Sequence, residues 1–92
     1  SVELSYRIRS GEEREFLHAV TLLRDARRRD GATLWRVYRD LGDPSRYVER
    51  FIVDSWADYL HQRARATQAD QQLEARVREF LQDGEPVTMQ HY

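Results

Sequence analysis

The chain has 92 residues and a formal net charge of −1, with 15 basic residues against 16 acidic ones. This length suits one domain, and the balanced charge argues against nucleic acid or an anionic membrane surface as a partner. Cysteine is absent, which excludes disulfides, a thiolate nucleophile and a cysteine-based zinc site. The longest apolar run, Phe51–Val53, is far shorter than the roughly 20 residues of a membrane span.

A strand followed by a helix is predicted for the first third of the chain. Apolar and polar residues alternate from Val2 to Ile8, which is the period of a half-buried strand. Ser10 and Glu13 have the spacing of a capping box, in which the Ser10 hydroxyl accepts from the backbone N–H of Glu13. An amphipathic helix follows, and the pair Asp30-Gly31 ends it.

A β-hairpin is predicted for residues 32–54. Residues 32–40 and 46–54 are rich in aromatic and β-branched side chains, and Leu41–Ser45 between them has turn composition around Pro44. We therefore expect two antiparallel strands joined by a loop of about five residues.

The remaining residues predict two helices and a last strand. Ser55 and Asp58 form a second capping signal, which predicts a short helix over 55–65. Residues 67–82 have helical apolar spacing, the Asp83–Pro86 segment breaks it, and residues 87–92 alternate like a strand. Residues 1–92 are therefore expected to form a single domain.

The order β-α-β-β-α(α)-β predicts an α+β, ferredoxin-like fold of the split βαβ type. Its four-stranded antiparallel sheet carries the helices on one face. Apolar residues occupy both faces of the hairpin, with Trp35 and Val37 on one side and Leu34 and Tyr38 on the other. We expect a second copy to cover the open face, which gives a homodimer packed sheet against sheet, a dimeric α+β barrel.

Charged residues on these strands are the main candidate ligand contacts. Arg7 lies opposite the apolar face of the first strand, and Arg36, Glu49 and Arg50 add charges to the hairpin. One interpretation is Arg–Glu pairing inside the dimer, because buried charges require partners. The other is a cavity that holds a small polar or anionic organic ligand between arginine side chains.

Aromatic and histidine side chains complete the candidate set. Trp35 suits either an aromatic wall for a flat ligand or an anchor of the core or interface. His61 suits a proton shuttle or a haem contact, or else a solvent-facing position on its helix. His18, His61 and His91 are too far apart in sequence to predict a metal site, and the sequence indicates no cofactor.

Several enzyme classes lack their motifs. The chain has no Gly-x-Ser-x-Gly elbow and no recognisable pair of catalytic carboxylates, so we assign no catalytic residue. Its four glycines stand singly at element boundaries, which argues against a phosphate-binding loop. The arginines near the end of the first helix, Arg27 among them, are interpreted as a solvated helix terminus rather than as an anion-binding patch.

The centre of the chain resembles a known family. The resemblance rests on Trp35-x-x-x-x-Asp40, Asp43-Pro44-x-Arg46-Tyr47-Val48-Glu49-x-Phe51-x-Val53-x-Ser55-Trp56-Ala57-Asp58 and Thr67-x-Ala69-Asp70. These segments resemble the C-terminal domain of bacterial exporters of the major facilitator superfamily, the enterobactin-exporter-like transmembrane secretion effectors. That domain is in turn similar to the antibiotic-biosynthesis-monooxygenase type of dimeric α+β barrel.

The resemblance implies a non-catalytic domain that dimerises or senses a ligand at the cytoplasmic face of the inner membrane. It also implies that the chain is a piece of a longer transporter, covalently attached to a transmembrane domain. The alternative is a stand-alone cytoplasmic monooxygenase without a cofactor, which holds an electron-rich aromatic or polyphenolic substrate near O2. In that reaction an arginine or histidine would manage the substrate proton.

One segment departs from the pattern of the exporter domains. Those domains usually carry a His-Leu-Arg-Gln-His run, where this chain has Tyr59-Leu60-His61-Gln62-Arg63. Roles that rest on the two outer histidines are therefore not implied for Tyr59 and Arg63.

Overall fold

The computed structural model describes all 92 residues and has the predicted order of elements. These elements are β1 (Val2–Arg7), α1 (Glu13–Arg29), β2 (Thr33–Arg39), β3 (Arg46–Ile52), α2 (Trp56–Arg63), α3 (Gln68–Arg78) and β4 (Thr88–His91). The strands form one antiparallel sheet in the order β2-β3-β1-β4. The predicted α+β, ferredoxin-like fold is thereby confirmed.

One face of the sheet and all three helices share the hydrophobic core. The alternating apolar residues of β1 are buried, as their period predicts, and Tyr6 packs its ring 5.4 Å from that of Phe16 on α1. Tyr59 of α2 and Val77 of α3 join the same core, whose further members are Val2, Leu4, Ile8, Ala19, Val20, Leu23, Ala32, Tyr47, Phe51 and Phe80. The helices therefore cover a single side of the sheet.

The opposite side of the sheet, the open face, has no helix over it. Along β3, Tyr47, Glu49 and Phe51 are buried beneath the helices, while Val48 and Arg50 between them point to the open face. The open face also carries the polar residues of β1 and two exposed apolar residues of β2, Leu34 and Tyr38.

A β-bulge shapes the start of β2. The register with β3 shifts between Thr33 and Arg36, and Leu34 has a φ of 51°, in the left-handed region that a branched side chain rarely adopts. The extra residue leaves Leu34 64% exposed, while Trp35 packs against the core.

The start of α1 and the end of α3 differ from their predicted positions. The capping box at Ser10 is wrong: α1 begins at Glu13, Glu12 is its N-cap, and no side chain caps it. Arg9 instead holds the Glu12 carboxylate, with Nε 2.7 Å from Oε2. The helix predicted for 67–82 ends at Arg78, because Leu81 turns back to form a bridge with Ile8.

The two later caps differ from the first. The Ser55 hydroxyl accepts from the backbone N–H of Asp58 at 3.2 Å, as predicted, and Thr67 caps α3 in the same way at 3.1 Å.

None of the helices combines the length and the apolarity needed to cross a membrane.

Candidate functional site

A buried carboxylate lies at the centre of the helix-covered side of the sheet. The alternation of β3 places Glu49 between Tyr47 and Phe51, and its side chain has no exposed surface. Its Oε1 accepts from the Tyr6 hydroxyl at 2.7 Å, and its Oε2 accepts from Trp35 Nε1 at 2.8 Å. Both oxygens of this buried carboxylate therefore have hydrogen-bond donors.

Arg27 supplies the opposite charge. Its Nε lies 2.8 Å from Glu49 Oε2 and its Nη2 lies 3.2 Å from Oε1, a two-pronged ion pair. Burial is the largest single influence on the pKa of Arg27 and would lower it, but the charge and hydrogen bonds of Glu49, together with Tyr6 and Tyr59, outweigh burial and raise the pKa above its usual value. Only 2% of Arg27 is exposed, so its interpretation as part of a solvated helix terminus is wrong.

A second ion pair continues the network toward the surface. Arg27 Nη1 donates to Glu74 Oε1 at 2.9 Å, and the same carboxylate accepts from Arg63 Nη1 at 3.0 Å and Nη2 at 3.3 Å. We call the six connected residues the Glu49 cluster: Tyr6, Arg27, Trp35, Glu49, Arg63 and Glu74. The cluster joins the sheet to all three helices through charge-assisted hydrogen bonds.

Tyr59 lies next to the cluster with its hydroxyl unpaired. The ring centroids of Tyr59 and Phe51 are 5.5 Å apart, and the Tyr59 oxygen is buried without a hydrogen-bond partner. Arg63 is near enough to affect the pKa of Tyr59 but makes no hydrogen bond of acceptable geometry with it. Burial raises the pKa of Tyr59, and burial together with Glu49 raises that of Tyr6.

The space beside the cluster is small. A cavity of about 20 Å³, lined by Tyr6, Arg27, Arg63 and Glu74 among others, has room for about one water molecule. Every charged group of the cluster is already paired. As it stands, the cluster therefore fixes the helices on the sheet and leaves no room for an organic molecule.

The open face carries four arginines, two with a close ion-pair partner and two without one. Arg7 forms an ion pair with Asp43, and Arg46 pairs with Asp40 at 3.0 Å. Arg50 has Glu3 as its nearest carboxylate, at 4.0 Å, and Arg36 has none within 4.0 Å. Both loop aspartates have a lowered pKa, Asp40 through the backbone N–H of Gly42 and through Arg46, Asp43 through Ser45 and Arg7.

Arg36 and Arg50 lie directly opposite one another on β2 and β3. A shallow depression of about 200 Å³ surrounds the pair, and its lining consists of Leu34, Arg36, Tyr38, Arg50 and Ile52. Like charges at directly opposed positions of a sheet repel each other. The depression therefore combines an apolar border with two cations that have a single carboxylate, Glu3, at the 4.0 Å limit of an ion pair.

The candidate residues are thus divided between the two sides of the sheet. Arg7, Arg36 and Arg50 lie on the open face, whereas Trp35 and Glu49 lie beneath the helices. The grouping of Glu49 with the charges that face a barrel cavity is therefore wrong, because strand alternation buries it. Glu49 pairs instead with Arg27 of α1 in the same copy, a residue outside the predicted set of strand charges.

His61 is separate from both groups. It is exposed on α2, and its Nε2 lies 3.2 Å from Nη2 of Arg65. The structure brings no three histidine or carboxylate side chains into a metal-binding arrangement.

The sequence interpretation missed the network around Glu49. Tyr6, Arg27, Arg63 and Glu74 converge from four elements, and no local spacing links them. One signal was available: Glu49 is the single acid in the alternation Tyr47-x-Glu49-x-Phe51, which indicates a buried charge.

Solved structures with the same fold come from several bacteria. A Nitrosomonas europaea protein with the provisional name antibiotic biosynthesis monooxygenase matches with a TM-score of 0.79 at 15% identity, over 99% of this chain and 85% of its own. A similarly named Bordetella bronchiseptica protein gives 0.76 at 18% identity, over 99% and 94%. A NIPSNAP domain protein from Burkholderia xenovorans gives 0.71 at 22% identity, over 99% and 92%. At these identities the likeness shows the fold alone.

Sequence comparison assigns the family. No functionally curated protein matches the chain. The family model described as "Transmembrane secretion effector" matches residues 1–92, and this range includes both the Glu49 cluster and the open face. The chain therefore belongs to the transmembrane secretion effector family.

Proposed function

We propose that this chain is a non-catalytic domain of a major-facilitator-type exporter of small molecules, where it dimerises and senses a ligand. The family match over all 92 residues carries this proposal. In this proposal a transmembrane domain is covalently attached to the chain, and the domain lies at the cytoplasmic face of the inner membrane.

The open face supports the dimer. Leu34 is 64% exposed and Tyr38 46% exposed, and the half-buried Val48 and Ile52 lie beside them on β3. Sheets whose apolar side chains remain uncovered pack face to face, and a two-fold axis lets one surface serve as its own partner. A second copy of this chain is therefore the proposed occupant.

The small space beside the Glu49 cluster favours a non-catalytic role for that cluster. The space beside the Glu49 cluster is about 20 Å³, whereas sites for small organic ligands measure roughly 300–1,000 Å³.

The alternative function is a cofactor-independent monooxygenase acting on an aromatic or polyphenolic substrate, and it rests on the names of structures with the same fold.

The gene sequence upstream of Ser1 tests the exporter proposal. We expect it to encode the hydrophobic spans of a transporter in the same reading frame. A start codon immediately before Ser1 would contradict the proposal.

Sedimentation of a matched pair of variants tests the dimer. Val48→Arg puts a third arginine beside Arg46 and Arg50 on the open face, so we expect it to convert the dimer to a monomer. Leu22→Arg places the same charge on an exposed position of α1 and should leave the dimer intact. A wild-type chain that sediments as a monomer at micromolar concentration would contradict the dimer.

Oxygen uptake tests the alternative. We expect a hydroquinone substrate to consume O2 at the same rate with and without the protein. Turnover above this background that falls in a Glu49→Gln variant shown by circular dichroism to be folded, but persists in the surface variant Glu79→Gln, would instead establish the monooxygenase and overturn the non-catalytic role.

A further inference from the structure

Two arginines on the open face, Arg36 and Arg50, are less fully neutralised than their neighbours. Arg7 and Arg46 on the same face each pair with an aspartate of the 40–43 loop. Arg36 has no carboxylate within 4.0 Å, and Arg50 only reaches that limit with Glu3. The register nevertheless holds Arg36 and Arg50 directly opposite each other, an arrangement in which like charges destabilise the sheet.

Apolar side chains border the arginine pair, and one of them, Leu34, has a strained backbone conformation. Leu34, Tyr38 and Ile52 surround the two guanidinium groups in the depression of about 200 Å³. Leu34 takes its place there only by adopting a left-handed backbone conformation at the bulge. Bulges with such strain are over-represented beside binding sites, where they redirect a side chain.

Covering the open face makes the charge imbalance more costly. Per copy, Arg36 and Arg50 face a single acid, Glu3, once the two pairs with the loop aspartates are set aside. A sheet-to-sheet dimer would remove these cations from water, and a buried charge without a partner is strongly unfavourable. An anion between the two guanidinium groups removes both the repulsion and the imbalance.

We propose that Arg36 and Arg50 form a binding site for a small organic anion, whose flat apolar part rests on Leu34, Tyr38 and Ile52. This inference deepens the proposed sensing function and rests on it, since it names the ligand class of the open face. Planar guanidinium groups suit carboxylates and sulfonates, and the tyrosine ring and aliphatic side chains suit an aromatic body.

Two fluorescent probes of the same shape test the site. Anilinonaphthalene sulfonate carries the anion, and N-phenylnaphthylamine is the same ring system without it. We expect the sulfonate to bind the wild-type chain about tenfold or more tightly than the neutral probe. Arg36→Gln and Arg50→Gln should each weaken sulfonate binding about tenfold and leave the neutral probe unchanged, whereas Arg28→Gln, at an exposed position of α1, should change neither.

Methyl NMR locates the bound probe. The chain has two isoleucines, Ile52 in the depression and Ile8 in the core, so the Ile8 signal is an internal control. We expect the sulfonate to shift the Ile52 signal and leave that of Ile8 in place. An unmoved Ile52 signal would overturn the proposal, and would indicate that the second copy's own side chains occupy the pair. Equal sulfonate affinity in Arg36→Gln and wild type would also overturn it.

Sedimentation of the same samples separates this proposal from the dimer. A monomeric chain that still shows the charge-dependent shift of Ile52 retains the anion site and loses the dimer. A dimer with no such shift retains the dimer and loses the site.

Discussion

At the scale of single residues, the Glu49 cluster depends on how completely each buried polar group is paired. Glu49 receives donors from Tyr6, Trp35 and Arg27, so its carboxylate is compensated although no part of it is exposed. Tyr59, which lies beside Arg63 of the cluster, has a buried hydroxyl with no partner. Pairing a buried group and leaving it unpaired have opposite effects on stability.

The two tyrosines therefore predict opposite results for the same substitution. Tyr6→Phe removes a 2.7 Å hydrogen bond to a charged acceptor and should lower the free energy of unfolding by about 1.5–3 kcal/mol. Tyr59→Phe removes only an unsatisfied oxygen and should raise that free energy by about 1 kcal/mol. Urea unfolding followed by circular dichroism measures both.

Each variant is the control for the other, because both lose one hydroxyl from a buried ring. A loss of stability in Tyr59→Phe equal to that in Tyr6→Phe would show that the Tyr59 oxygen has a partner in solution, such as a bound water.

At the scale of secondary-structure elements, the helix starts show where sequence spacing is sufficient. Ser55 and Ser10 have the same capping signal, but only Ser55 bonds the backbone N–H three residues on. Arg9 binds the Glu12 carboxylate and also donates to the backbone carbonyl of Glu79, the residue at the end of α3. Arg9 therefore connects the start of α1 to the end of α3. That tertiary contact replaces the cap.

Removing the two serine hydroxyls should therefore have different effects. Ser55→Ala deletes a cap of α2 and should lower the free energy of unfolding by about 1 kcal/mol. Ser10→Ala should change it by less than about 0.5 kcal/mol, as at an ordinary surface position. Chemical denaturation of the two variants measures the difference, and equal losses would mean that Ser10 also caps its helix.

At the scale of the whole molecule, two sets of ionisable groups control stability at the two ends of the pH range. Three half-buried aspartates at the surface, Asp40, Asp43 and Asp70, have a lowered pKa through hydrogen bonds and arginine partners. Buried tyrosines, Tyr6 and Tyr59, have a raised pKa. The first set binds protons more weakly in the folded state than in the unfolded one, and the second set binds them more tightly.

Stability should therefore fall at both extremes. Below about pH 4 the unfolded chain takes up more protons than the folded one, so the contribution of the aspartates is lost as the pH falls. Asp30, whose pKa burial raises, acts in the opposite direction and partly offsets this loss. Above about pH 10 the unfolded chain releases tyrosine protons first, at about 1.4 kcal/mol per pH unit for each tyrosine.

Added salt should distinguish the loss of stability at acid pH from the loss at alkaline pH. Added salt screens exposed ion pairs, so it should weaken the acid dependence and leave the alkaline dependence almost unchanged. Tyr6→Phe should reduce the alkaline slope by one tyrosine. Urea titrations across the pH range at two salt concentrations check both statements, and an alkaline slope that Tyr6→Phe leaves intact would contradict the assignment.

The order of the elements and the covered face of β1 follow from the sequence because both depend on neighbours in the chain. Strand alternation from Val2 to Ile8 and the helical spacing of α1 report burial directly. Alternation also places Trp35 and Val37 on one side of β2 and Leu34 and Tyr38 on the other, as in the structure. Which of the two sides the helices cover does not follow, because it depends on the pairing of Val37 with the buried Glu49 of β3.

The sequence by itself therefore determined the fold class, the family resemblance and an arginine-rich hairpin. Only the tertiary structure decided that Arg27 is buried against Glu49, that Arg36 has no carboxylate partner, and that Arg50 has only Glu3, at 4.0 Å. The physical reason is distance along the chain: Arg27 and Glu49 are 22 residues apart, and Arg27 and Glu74 are 47 apart. Such pairs are created by packing of the helices on the sheet, and no local periodicity encodes them.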